Sequence, residues 1–124
     1  MIEFMEGFPD GVIAVTAKGR VTLEDYEKAL IPEIERMFAK HEKIRLYYEL
    51  GEQFSGIDAG AAWKDMKIGF EHLPDWERMA LVTNVEWIRL AVNVFRFLMP
   101  GRLRIFSTAE AEEARAWVAE SRTG

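Results

Sequence analysis

The chain has 124 residues, 49% hydrophobic and 30% charged, with a formal net charge of -5. That length predicts a single domain over residues 1–124, long enough to bury a core without staples. The lack of cysteine excludes disulfides, thiolate zinc sites and thiol nucleophiles, two histidines argue against a multi-histidine metal site, and 21 acids against 16 bases argue against nucleic acid.

The first residues, Met1 to Glu6, carry acids early and no basic segment followed by an apolar one, so no signal peptide is expected. Ile2 to Glu6 alternates weakly, and Phe8-Pro9-Asp10-Gly11 supplies turn chemistry. The β-branched run Val12 to Ala17 reads as a strand ending at Lys18-Gly19-Arg20, hairpin-paired with the first segment. Thr22 and Asp25 make a short capping box. Leu23, Tyr26, Leu30, Ile34 and Met37 then recur at helical spacing. Pro32 falls inside that pattern and predicts a kink or break.

Ile44 to Leu50 is the next strand, and Gly51 to Ile57 reads as a loop leading to an N-cap at Asp58. Behind it Trp63, Met66, Phe70 and Leu73 form one helical stripe, stopped by Pro74. Met79 to Thr83 is a short apolar strand of the kind covered on both faces. A helix over Val85–Met99 follows, ending at Pro100-Gly101. Its apolar run is too short and too charged to span a membrane. Leu103 to Phe106 is the last strand, and Ser107 with Glu110 caps a final helix with Ala114, Trp117 and Val118 inward. The order ββαβαβαβα implies an α/β fold: about five strands in a mixed, mostly parallel sheet, with about four helices.

Several segments resemble the SpoIIAA-like (STAS-related) family of small bacterial proteins, whose fold is shared by CRAL-TRIO lipid-transfer domains. They are Pro9-Asp10-Gly11, Asp25-Tyr26 with Leu30-Ile31-Pro32, and Ala61-Ala62-Trp63-Lys64-Asp65. Glu86-Trp87-Ile88-Arg89, Phe97-Leu98-Met99-Pro100-Gly101 and Glu113-Ala114-Arg115-Ala116-Trp117 complete the set. The resemblance implies a superhelix of β/α units with helices largely on one side of the sheet. It also implies a candidate phospho-switch. STAS-type anti-sigma-factor antagonists carry a modified Ser or Thr in an Asp-Ser-Ser/Thr-Gly motif, and here Ser55-Gly56 matches its end while Gln53-Phe54 replaces the acid.

The helix Val85–Met99 has more apolar surface than one sheet face requires. Glu86, Arg89, Asn93 and Arg96 fall in a narrow arc, and nearly everything else is apolar. The excess from Trp87, Ile88, Phe95, Leu98 and Met99, together with Trp63, is open to three readings. It packs on neighbouring helices, forms a homodimer or other protein contact, or lines a site for a small apolar ligand. Arg89 and Arg96 lie seven apart and, with Arg102 and Arg104, are candidates for an anion or docking patch.

Catalytic candidates are weak. His41 and His72 read as helix-end histidines. No serine elbow, glycine-rich phosphate loop or metal-ligand spacing is present. An orphan site from Asp58, Asp65 and His72 is the sole enzymatic option. The expectation is a cytoplasmic, non-enzymatic module without cofactor, metal or catalytic residue. It acts as a homodimer through protein interaction; the alternative is a carrier or sensor of a small apolar ligand or lipid.

Overall fold

The computed structural model describes residues 1–120, with the side chain of Phe70 outside the described set. Five strands lie in the order β1-β2-β3-β4-β5: β1 (Ile2–Phe4), β2 (Val12–Val21), β3 (Ile44–Ile57), β4 (Trp76–Thr83) and β5 (Leu103–Phe106). The hairpin β1–β2 is antiparallel and the other pairs are parallel. Each crossover therefore steps one strand in the same direction, and a constant hand places all the connecting helices on one face. That face carries α1 (Leu23–Asp25), α2 (Ile31–Lys40), α3 (Ala59–Glu71) and α4 (Glu86–Arg96). The last helix, α5 (Ala111–Ala119), has no further strand to reach and covers the opposite face.

The period-two alternation of the strands feeds both layers. Leu46, Tyr48 and Leu50 face the main core, whereas Tyr47 joins Ala14, Ala80, Val82 and Phe106 beneath Ala114 and Val118 of α5. Arginines from the sheet close that second layer. Arg45 Nη1 donates to the carbonyl of Val118 at 2.8 Å, and Arg78 Nη1 donates to that of Trp117 at 2.6 Å, satisfying the last carbonyls of α5.

Both capping boxes form as expected. The irregularity expected at Pro32 is a π turn over Tyr26–Leu30, joining α1 to α2. The Ile31 N–H bonds the carbonyl of Tyr26 rather than that of Glu27, and Pro32, with no N–H, sits in the first turn of α2. Tyr26 and Leu30, four apart, are both buried.

Three expected boundaries move. The segment Gly51 to Ile57 is strand, not loop: Phe54, Gly56 and Ile57 pair with Gly19, Arg20 and Val21. The register shifts on either side of Gly19, where φ is +61°, because β3 carries extra residues between Leu50 and Gly56. This stretch reads as loop because it projects beyond β4, whose pairing with β3 ends at Leu50 opposite Thr83, and polar residues suffice there. The strand β4 begins at Trp76, three residues earlier than the apolar run suggests, and α4 ends at Arg96, three residues before Met99.

Candidate functional site

The helices α3 and α4 both follow the carboxyl ends of central strands, and they close on each other at one place. A Cβ on Gly69 would stand 3.3 Å from Phe95 Cε1, so glycine permits that approach. Beside this contact the helices diverge around an apolar groove of about 380 Å³. Ala62 and Met66 line it from α3, Trp87 and Ile88 from α4, and Tyr48 and Leu81 from the sheet. An inner cavity of about 90 Å³ continues toward Trp76 and Met99. Tyr48, Asp65, Leu81, Val92 and Phe95 line both spaces.

A polar chain runs through this junction. The Tyr26 hydroxyl donates to Asp65 Oδ1 at 3.0 Å and lies 3.1 Å from the Tyr48 hydroxyl. With its one proton committed to Asp65, Tyr26 accepts from Tyr48. The order of donation is therefore Tyr48 to Tyr26 to Asp65. Among the described residues Asp65 Oδ2 has no partner. Asp65 is an exposed residue whose carboxyl is crowded by the protein around the groove. Burial pushes its pKa up to about 6, against the lowering effect of the Tyr26 hydroxyl. Burial and the Asp65 charge hold both tyrosines well above the ordinary phenol range, so they remain donors throughout physiological pH. The arrangement offers an apolar body a wall and a hydrogen-bond donor the Oδ2 oxygen, which water otherwise reaches.

The family model that matches this chain is SpoIIAA-like, over residues 12–119, from β2 to the end of α5. The chain belongs to the SpoIIAA-like family. It is similar to an uncharacterised protein of the DUF3478 family from Shewanella loihica PV-4, whose crystal structure has a SpoIIAA-like fold. The two are 26% identical with a TM-score of 0.69, over 95% of this chain and 92% of that one. No curated protein matches the chain.

In this SpoIIAA-like chain the residues singled out from the sequence separate into distinct places. Trp87, Ile88, Phe95 and Leu98 line the groove, and Met99 lines the inner cavity. Trp63 lines neither. It points outward at 64% exposure and Met66 at 44%, so the expected inward stripe of α3 is wrong for both. The inward side of α3 is instead built from Ala61 and Gly69, small residues that let it sit close to its neighbours, with the half-buried Ile68 beside them.

Ser55 is exposed, but it lies within β3 rather than in a turn before α3. The four arginines do not converge. Arg89 Nη1 donates to the carbonyls of Thr83 and Phe106, Arg102 Nη1 to those of Leu73 and Trp76 at the other end of β5, and Arg104 stacks over Phe106 and Trp117. Arg96 is exposed and bonds Asn93. Nor do Asp58, Asp65 and His72 assemble: Asp58 pairs with Arg20, and His72 stacks on Phe38 at 4.3 Å. His41 ends α2, its N–H on the Met37 carbonyl. Among the described residues no His, Asp or Glu group suited to a metal ion occurs, and no helix is long and apolar enough to cross a membrane. The sequence places Tyr26 in an apolar helical stripe and Tyr48 in the strand Ile44 to Leu50; their hydroxyls gave no separate signal.

The raised pKa of Asp65 has a measurable consequence. Its carboxyl binds a proton more tightly folded than unfolded, so stability is fully present below about pH 4 and declines as pH rises through about 6. The gap between 3.8 and about 6 corresponds to about 3 kcal/mol, which partial exposure reduces to about 1 kcal/mol. Asp65→Asn keeps an acceptor for Tyr26 and removes the charge. Thermal melts of this variant should lie about 3–6 °C above wild type at pH 7.5 and converge with it near pH 4. A gap of equal size at both pH values would show that the charge is not its cause.

Proposed function

We propose that this SpoIIAA-like protein is a non-enzymatic, cytoplasmic regulatory module that works as a homodimer, pairing through the outward face of α4. The supporting observation is a second apolar stripe on that helix, continued into the turn after it. Ile88, Val92 and Phe95 face the core, yet Trp87, Leu90 and Val94 are 55%, 69% and 69% exposed, and Phe97 and Leu98 just beyond Arg96 are 91% and 43% exposed. Within the helix the spacing of three and four residues is that of a helix–helix seam.

A second copy fits this seam because a two-fold axis lays Leu90 and Val94 of one helix against the same residues of the other, and antiparallel packing opposes the helix dipoles favourably. Sedimentation velocity on untagged protein between about 1 and 100 µM tests the reading. The expected species has twice the 14.3 kDa mass of the chain. A single species at the chain mass throughout would overturn it.

A second reading, a carrier or sensor of a small apolar ligand, draws on the groove of about 380 Å³ between α3 and α4. Native mass spectrometry distinguishes this reading by an adduct of a few hundred daltons that dissociates on denaturation.

A further inference from the structure

We propose that Asp65 makes the α3–α4 groove selective for compact apolar molecules carrying one hydrogen-bond donor, an ammonium or a hydroxyl, which they present to Asp65 Oδ2. The proposal deepens the ligand reading given above and rests on it.

Size sets the first limit. At roughly 30 Å³ per water-sized group, a groove of about 380 Å³ admits about a dozen non-hydrogen atoms, too few for a two-chain lipid. Wall chemistry sets the second. Apart from the Asp65–Tyr26–Tyr48 chain, the groove is lined by aliphatic, aromatic and methionine side chains, and no Lys, Arg or His lines the groove or the inner cavity. An anionic head group would therefore meet a carboxylate without a compensating cation.

The orientation of the polar chain sets the third limit. Tyr48 and Tyr26 both give their protons along the chain toward Asp65 Oδ1, so the chain terminates on an acceptor and leaves Oδ2 free. A ligand that supplies a donor completes the chain, and a charged donor makes the stronger bond. Met66 at 44% exposure and Leu98 at 43%, on opposite sides of the groove, leave it open to solvent for entry.

The test uses three probes of one chain length, n-octylamine, n-octanol and n-octanoate, titrated at pH 7.5 against the full chain. Amide chemical shifts in nuclear magnetic resonance spectra report both binding and folding. The expected order is amine, then alcohol, with octanoate at least about tenfold weaker than the amine. Asp65→Leu should erase that order. Asp65→Asn, which keeps the Tyr26 bond, should lose the amine preference and retain octanol. Equal binding of all three probes, or an order unchanged in both variants, would overturn the role of Asp65 while leaving the ligand reading in place. No binding of any probe to the folded wild-type chain would overturn both.

Discussion

Replacing Trp76 by alanine is expected to cost about 3–5 kcal/mol, a large part of the roughly 5–15 kcal/mol available to a domain. Trp76 opens β4 at 1% exposure and stands edge-on to Phe38, 5.3 Å between ring centroids, while Phe38 in turn stacks on His72. Its ring is thus the buried member of a three-ring column that ties α2 to the turn before β4. It also walls the inner cavity, so truncation enlarges a space of about 90 Å³ that already exists rather than one that neighbours can collapse to fill. Urea denaturation should show a lower midpoint at an unchanged slope. The Trp76 Nε1–H is buried without a partner among the described residues, so Trp76→Phe removes an unsatisfied donor along with some contact area. That variant should lose far less than Trp76→Ala. Equal losses would contradict the packing account.

The same residue shows where the sequence is silent. Trp76 precedes Glu77 and Arg78, and two charges broke the apolar run that marked the strand at Met79. In the fold those charges face the other way: Arg45 meets Glu77 at 2.6 Å, and Arg78 lies 5.0 Å over the Trp117 ring beside α5. Two successive residues share that side because the register shifts there, Ile44 pairing with Trp76 and Arg45 with Arg78, so neither an apolar run nor a strict alternation marks the start of the strand. The order of elements, the parallel sheet and both capping boxes were legible because each rests on local chemistry within a few residues. The outward stripe of α4 was legible for the same reason, as an apolar excess on a single helix.

The polar chain at the groove is a different kind of feature. Tyr26 comes from a π turn, Tyr48 from β3 and Asp65 from α3, separated by 22 and 39 residues from Tyr26. Each taken alone reads as core or surface, and only the crossovers bring them together. Asp65 was noticed as a carboxylate but grouped with Asp58 and His72, which the fold commits elsewhere. Trp63 misled for a related reason. Size and hydrophobicity favour a tryptophan inward, but a helix that must pass close to Phe95 and Leu23 places Gly69 and Gly60 on those contacts instead.

Substituting Leu90→Glu and Val94→Glu together is expected to weaken self-association by at least about 100-fold, because four carboxylates per dimer would enter an apolar seam without partners. Both side chains are 69% exposed, so the folded monomer loses no core contact and its melting temperature should stay within a few degrees of wild type in dilute solution. Sedimentation then separates an interface effect from a folding defect.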